Sequence, residues 1–147
     1  MKLKVGWIGK TKDTAIQALT TEYLKRLNYY AQAEGLTFAD EKAVLGLREA
    51  RSGRPAHSIV LLDSQGKQLT SEEFAEFLHN HQNRSPQPLL FAVGDANGFS
   101  DEARKAASFV LSLGRMTIAH ELARVVLLEQ LYRALTILKG HPYHRGH

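Results

Sequence analysis

The apolar residues of this chain occur in short runs that alternate with stretches of helical spacing. The clearest run, from Ile59 to Leu62, contains no polar residue, which is typical of a strand covered on both faces in a parallel sheet. Similar runs predict strands over residues 2–8, 36–39, 57–63, 88–93 and 109–113. Residues 64–67 are expected to form a turn.

Between these runs, apolar residues recur every three or four positions, which predicts helices. Asp13 or Thr14 is expected to cap the first helix, and Thr70 and Glu73 have the spacing of a capping box at the third. The predicted helices cover residues 14–30, 41–50, 71–79, 100–108 and 119–138. The first is expected to bury one face made of Ile16, Leu19, Tyr23 and Leu27. Strands alternating with helices predict an α/β three-layer sandwich with a mostly parallel sheet, in one domain over residues 1–147.

Composition narrows the class of protein. The chain has 147 residues, a net charge of +4 and no cysteine, which excludes disulfides, thiolate metal sites and cysteine nucleophiles. No stretch approaches the roughly 20 apolar residues of a membrane span, and no basic start precedes a long apolar run. We therefore expect a cytoplasmic protein with no membrane partner. Its excess of positive charge modestly favours a polyanionic partner such as RNA.

Three loops follow the predicted strands at their carboxyl ends, where open α/β sheets bind ligands. They begin after Leu62, at Gly94 and at Leu113. Glycines at 94, 98 and 114 allow the backbone to approach a ligand closely, and such a pocket suits adenine or a nucleoside. Each loop taken alone is equally typical of an ordinary turn, because none has a dinucleotide or Walker motif.

The last predicted helix is apolar nearly all round, which indicates coverage on two sides. A homodimer is the favoured explanation of this pattern, because a helix at the end of a small chain has little further protein to cover it. The alternative is a helix internal to a monomer. Glu129 and Arg133 are four residues apart and are expected to pair. Arg124 and Arg133 are also placed to face phosphates.

The polar tail, residues 139–147, combines an aromatic residue, an arginine and three histidines. Terminal segments are usually frayed, but Tyr143 can stack on a base and Arg145 can hold a phosphate. His144 can act as an acid or a base near neutral pH. A metal site from the tail histidines is not expected, because no carboxylate lies near them in sequence. Those histidines are His141, His144 and His147.

These motifs together resemble the RlmH family of SPOUT methyltransferases, which methylate N3 of a pseudouridine in large-subunit ribosomal RNA. The resemblance covers essentially the whole chain. It rests on the segments Val60-Leu61-Leu62-Asp63 with Gly66-Lys67, Phe91-Ala92-Val93-Gly94 through Gly98, Met116-Thr117-Ile118-Ala119-His120, Arg124 through Ala134, and His141-Pro142-Tyr143-His144-Arg145.

The resemblance implies a C-terminal trefoil knot, a homodimer and S-adenosylmethionine as the cofactor. It implies that the cofactor is bound by Leu62, Gly94, Leu113, Gly114, Arg115, Met116, Thr117 and Ile118. It implies that Arg133, Tyr143, His144 and Arg145 form the target-base site, for which the dimer interface is one location. The implied substrate is 23S ribosomal RNA in the assembled ribosome, and DNA is not an expected partner.

Two features leave the function open in detail. The family's usual cofactor loop has a glycine and a proline where this chain has Asp95 and Ala96, so a carboxylate lies either beside the cofactor or in solvent. His144 is the candidate base for the proton on N3. The alternatives are a non-catalytic RNA-binding module of the same fold and a small nucleotide-metabolising enzyme.

Overall fold

The structure, a computed structural model, describes residues 1–146. Five strands form one sheet in the order β2-β1-β4-β3-β5, and every neighbouring pair is parallel. The strands are β1 Lys2–Ile8, β2 Gln32–Phe38, β3 Ser58–Gln68, β4 Leu89–Val93 and β5 Phe109–Ser112. The helices are α1 Thr14–Leu27, α2 Glu41–Leu45, α3 Ser71–Arg84, α4 Asp101–Ala106 and α5 His120–Leu138.

Two separate apolar clusters cover the two faces of the sheet, which confirms the three-layer α/β prediction. Leu62 and Phe91 lie in the cluster beneath α1, α3 and α5. Their neighbours Leu61 and Leu90 lie in the other cluster, with α2 and α4. Successive strand residues point to opposite faces, so a strand buried on both sides needs apolar residues at every position. This explains the unbroken run in β3.

The helix caps explain most of the element boundaries. Asp13 accepts hydrogen bonds from the backbone N–H groups of Ala15 and Ile16, as predicted for an N-cap. The same helix ends at Leu27, earlier than expected, because the Asn28 side chain bridges the backbone of Leu24 and Ala33. This bridge also begins β2 at Gln32, four residues before the predicted start.

Other boundaries differ from the prediction. The second helix ends at Leu45 and continues only as a 3-10 turn over Gly46–Arg48. α3 extends to Arg84, five residues further than expected. The predicted turn at 64–67 is part of β3, although its pairing with β5 is interrupted there.

That interruption carries the chain over β5. Leu111 pairs with both Leu62 and Lys67, and Gly66 lies directly on the backbone between Val110 and Leu111. A Cβ added at Gly66 would lie 2.7 Å from the carbonyl carbons of both residues. Only glycine fits this crossing without moving a strand.

The apolar surface of α5 is covered by other elements of the same chain. It packs between α1 and α3 and over the sheet, which favours the internal-helix interpretation over the dimer as the reason for its pattern. Arg124 is fully buried, where it donates to Thr11 Oγ1 at 2.7 Å and to the Ile8 carbonyl at 3.1 Å. The expectation that Arg124 faces phosphates is therefore wrong.

The apolar side chains left exposed lie on α1, on the 113–118 loop and at both ends of α5. The predicted face of α1 is wrong at Leu19, which is 42% exposed, because the buried side of that helix passes through Thr20 and Leu27. Leu122 and Leu138 are also exposed, and Met116 is 85% exposed.

Candidate active site

A hollow of about 220 Å³ opens at the carboxyl ends of β3, β4 and β5. We call it the edge pocket. It brings together seven of the eight residues expected to bind the cofactor: Leu62, Gly94, Leu113, Gly114, Met116, Thr117 and Ile118. Arg115 lies instead in an adjoining hollow on the outer side of the same loop. Parallel strands end at one edge of the sheet, so three loops distant in sequence meet there.

Glycine conformation shapes the walls of the edge pocket. Gly98 and Gly114 have φ values of +72° and +141°, which residues other than glycine rarely adopt. Gly94 is buried against Gly98, and a Cβ at Gly94 would lie 3.3 Å from the Gly98 backbone. The lining therefore combines main chain and apolar side chains with polar groups, among them Asp63, Asp95 and His120.

An ion pair between Asp63 and Arg104 lies at the edge pocket. Arg104 on α4 donates to Asp63 Oδ2 at 3.1 Å and to the Phe99 carbonyl at 2.6 Å. These two bonds tie the end of β3 to the loop after β4. Asp95, which departs from the family's usual loop, is exposed and accepts from the Asn97 backbone N–H at 2.9 Å.

The tail is folded back along α5 rather than frayed. Gly140 has φ +70°, and the N–H groups of Gly140 and His141 donate to the carbonyls of Ile137 and Thr136. This is a Schellman motif, which turns the chain at a helix C-terminus. Residues His144–Gly146 then form a 3-10 turn. His147 lies outside the described residues, and so does any metal-site geometry that involves it.

Charged and aromatic side chains gather where the tail meets α5 and α3. Arg133 Nε donates to Glu129 Oε1 at 2.9 Å, which confirms the predicted pair, and Arg133 Nη1 lies 2.9 Å from His144 Nδ1. The Tyr143 hydroxyl donates to Glu129 at 3.2 Å. His144 Nε2 lies 2.7 Å from Glu72 Oε1. We call these five residues the tail cluster.

Burial and charge alter the acidity of this cluster. Burial raises the pKa of Tyr143 to about 12, and the nearby Glu129 carboxylate acts in the same direction. The hydrogen bond that Arg133 donates to the Glu129 carboxylate raises the pKa of Arg133. Both groups therefore keep their protons at physiological pH, and the predicted residue Arg145 lies exposed beside them.

The edge pocket and the tail cluster are separated within one chain. Ala123 lines the pocket, and Arg133 follows it by ten residues on α5, which corresponds to about 15 Å of helix. Transfer between bound groups requires reacting atoms about 3 to 3.5 Å apart. One chain therefore does not bring its own tail cluster into contact with its own pocket in this conformation.

Sequence reasoning did not single out Glu72 for the tail cluster, nor Asp63, Arg104 or His120 at the edge pocket. Glu72 stands at the start of α3 and has no link in sequence to the tail that it contacts. Arg104 is an unremarkable basic residue in the last turn of α4, and Asp63 was noted only as part of a motif. Each becomes visible only when distant segments meet, although the capping box at Thr70 did predict where α3 begins.

The fold and the motifs place the chain among known methyltransferases. A family described as "Predicted SPOUT methyltransferase" matches residues 1–144. A probable methyltransferase from Bordetella pertussis superposes with a TM-score of 0.60 at 7% identity, over 91% of this chain and 94% of that chain. The SpoU methyltransferase AviRb from Streptomyces viridochromogenes, solved with AdoMet, gives 0.52 at 13% identity, over 90% and 57%. The chain belongs to the SPOUT methyltransferase family, as its motifs predicted.

A curated relative narrows the comparison. "Ribosomal RNA large subunit methyltransferase H" of Koribacter versatilis is 58% identical over 147 residues, which is 100% of both chains. The similarity therefore includes the edge-pocket loops and the tail.

The remaining features of residues 1–146 concern membranes and metals. Within that range, no helix has both the length and the apolarity needed to cross a membrane. No group of three or more potential metal-ligating side chains comes together among the same residues.

Proposed function

We propose that this protein is an S-adenosylmethionine-dependent methyltransferase that acts on N3 of a pseudouridine in 23S ribosomal RNA. The observation that carries the proposal is the glycine-lined edge pocket of a SPOUT fold, together with a charged and aromatic tail cluster. The name of its 58% identical relative supports ribosomal RNA as the substrate. The substrate form we favour is the assembled ribosome, which makes the cytoplasm the expected place of action.

The edge pocket fits the cofactor in shape and lining. Leu62, Val93 and Ile118 offer apolar walls for a flat adenine ring. Gly98 and Gly114 present main-chain atoms without side chains, to which a nucleoside edge can bind. When bound, S-adenosylmethionine supplies a methyl group already activated on a sulfonium. The protein's remaining task is to align the acceptor nitrogen with it.

The separation of about 15 Å between pocket and tail leads us to propose a composite site in a homodimer. A two-fold axis across antiparallel α5 helices brings the tail cluster of one copy to the edge pocket of the other. The exposed side chains of Leu19, Leu122 and Leu138 supply apolar area for such a contact. We further propose that the crossing at Gly66 belongs to the trefoil knot implied by the family.

The tail cluster provides the groups that an N3 acceptor needs. As the nitrogen–methyl bond forms and the sulfur–methyl bond breaks, the N3 proton must leave, and His144 is our candidate to take it. Arg133 stabilises the negative charge that develops on the base. Tyr143 provides a face for stacking, and the exposed Arg145 is placed for a phosphate.

Methylation of defined ribosomes tests the activity. Purified protein and S-adenosylmethionine are incubated with ribosomes from a strain that lacks the modification, or with the same RNA free of protein. Mass spectrometry of the RNA is expected to show one added methyl group on a pseudouridine, with the faster rate on intact ribosomes. Equal rates on free RNA would reject the assembled substrate.

A thermal shift separates an active pocket from a non-catalytic module. Cofactor at about 100 times its Kd stabilises a binding protein by about 2.7 kcal/mol. No shift, with retained binding to ribosomes, would favour the non-catalytic RNA-binding module instead.

Complementation tests the composite site. A variant with a disabled tail, Arg133→Gln, and one with a disabled pocket, Gly94→Val, are each expected to be inactive. After mixing and exchange of subunits, half of the dimers contain one intact site, so about a quarter of wild-type activity returns. A mixture that stays inactive while mass spectrometry detects mixed dimers would reject sites shared between subunits.

A further inference from the structure

Both ring nitrogens of His144 are engaged, and their partners define where its proton lies. A guanidinium only donates, so His144 Nδ1 must accept from Arg133 Nη1 at 2.9 Å. The other ring nitrogen of a neutral histidine then carries the hydrogen. Nε2 therefore donates to Glu72 Oε1, 2.7 Å away.

We propose that Glu72 is a positioning residue for methyl transfer, which holds His144 as the Nε2–H tautomer and leaves Nδ1 as the basic nitrogen. The inference rests on the proposed function, in which His144 receives the N3 proton. It adds a residue of α3 to a site otherwise built from α5 and the tail.

The start of α3 is constructed to hold Glu72 in place. Thr70 Oγ1 accepts from the Glu73 N–H at 3.0 Å, and Glu73 Oε1 accepts from the Thr70 N–H at 2.8 Å, which completes the capping box. Ser71 Oγ donates to Gln130 Oε1 at 2.8 Å. The first turn of α3 is thereby fixed both to itself and to α5.

A continuous series of hydrogen bonds closes through this residue. Gln130 Nε2 donates to Glu129, whose carboxylate also receives Arg133. Arg133 also donates to His144 Nδ1, and His144 Nε2 in turn donates to Glu72 on α3. The series links α3, α5 and the tail, so the imidazole is held from two sides rather than by one exposed pair.

The charged and titratable groups that face His144 come from three segments. α3 contributes the Glu72 carboxylate, whose pKa is lowered mainly by its hydrogen bond with His144. α5 contributes Arg133, with Glu129 behind it, and the tail contributes Tyr143. The only carboxylate in direct hydrogen-bond contact with the ring, among residues 1–146, is that of Glu72.

This arrangement balances the proton in the reaction. In the free protein Arg133 donates to Nδ1, and the N3–H of the bound base takes over that place. The N3 proton passes to Nδ1, and the imidazole becomes a cation beside the Glu72 carboxylate. The N3–methyl bond forms as the methyl–sulfur bond of the donor breaks, which leaves a neutral thioether. Loss of that proton to water restores the neutral ring. A carboxylate that orients a histidine base in this way is a known device of enzymes.

Nitrogen-15 NMR of the histidine ring tests the proposal in the free protein. Wild-type protein is expected to show the Nε2–H tautomer of His144. Glu72→Gln keeps an acceptor oxygen and is expected to keep that tautomer. Glu72→Ala releases the ring from α3, so that Nδ1 no longer stays on Arg133 and a mixture of tautomers is expected. Glu76→Gln, one turn further along the exposed side of α3, is the matched control and should change nothing.

Steady-state kinetics on ribosomes provide the second readout. Glu72→Ala is expected to lower kcat roughly tenfold to a hundredfold, a part of what a general base contributes, with an unchanged KM for S-adenosylmethionine. Glu72→Gln should recover part of that loss. A wild-type Nδ1–H tautomer, or an unchanged tautomer in Glu72→Ala, would overturn the proposal. So would full turnover in Glu72→Ala, provided that Arg133→Gln is inactive in the same assay. Inactivity of the wild-type protein would instead reject the proposed function, while the NMR result still decides the tautomer.

Discussion

The edge pocket and the tail cluster lie along the same helix but are built from different materials. The pocket is shaped by main chain and glycines, with Gly94 packed against Gly98 and its one ion pair, Asp63 with Arg104, serving as a brace. The tail cluster is made of charged and aromatic side chains around Arg133 and His144. An added methyl group should therefore damage the pocket, whereas a lost charge should damage the tail.

This difference fits the two tasks in the proposed reaction. A donor that is already activated needs shape and contact, which backbone supplies without reorganisation. The acceptor must lose a proton and pass through a charged state, which requires titratable and cationic groups. The predictions below test whether the two regions can be damaged separately.

The largest effect is expected from Arg133→Gln. Without the guanidinium, the negative charge that develops on the target base loses its nearby cation, and His144 loses the group that donates to its Nδ1. The rate of methyl transfer should therefore fall by about a hundredfold or more. The Kd for S-adenosylmethionine, measured by calorimetry, should change by less than about twofold. Arg133 lies about 15 Å along α5 from the pocket of its own chain, and across the proposed dimer it is assigned to the target base rather than to the cofactor. A large loss of cofactor affinity would show that the two regions are not separable.

The crossing of β3 over β5 is tested by Gly66→Ala. The new Cβ would lie 2.7 Å from backbone atoms of Val110 and Leu111, so a strand must move, at a cost of about 1–3 kcal/mol in the free energy of unfolding. Urea denaturation measures this cost. Gly46→Ala is the control, because nothing lies within 4 Å of its Cβ, and it should be neutral or slightly stabilising. Equal stabilities of the two variants would contradict the crossing.

A smaller change is expected from Gly94→Ala. Its Cβ would lie 3.3 Å from the Gly98 backbone, so the 95–98 loop must shift by a few tenths of an ångström. We expect the cofactor Kd to rise about tenfold, equivalent to about 1.4 kcal/mol, while the His144 ring signals stay unchanged. Shifted His144 ring signals with an unaltered cofactor Kd would contradict the assignment of Gly94 to the pocket rather than to the tail cluster.

The smallest effect concerns the acidity of the tail. Burial raises the pKa of Tyr143 from 10.0 to about 12, so its neutral form stabilises the fold fully below pH 10, and this contribution is lost as the pH rises through about 12. The difference in tyrosinate absorbance between wild type and Tyr143→Phe should therefore appear near pH 12. A difference that appears near pH 10 would place Tyr143 in solvent.

The sheet strands and the sites at their ends were largely predictable from sequence. The unbroken apolar run in β3 required a strand covered on both faces, and glycines at 94, 98 and 114 marked loops whose backbone lines the edge pocket. The prediction placed the start of β2 four residues late, because the alternating, half-exposed residues of this strand carry little apolar signal. The expected exposure of Arg124 was wrong, because a charged residue at helical spacing gives no indication that its guanidinium will be buried against three oxygen acceptors.

Local signals acting over a few residues decided the caps, the strands, the return of the tail at Gly140 and the resemblance to a family. Only the tertiary structure decided that Gly66 crosses β5, that Glu72 meets His144, and that pocket and tail are held apart on α5. Those contacts join residues up to 72 positions apart. The energy of such a contact depends on how whole helices and strands pack together. The sequence around either residue contains no signal that identifies its partner.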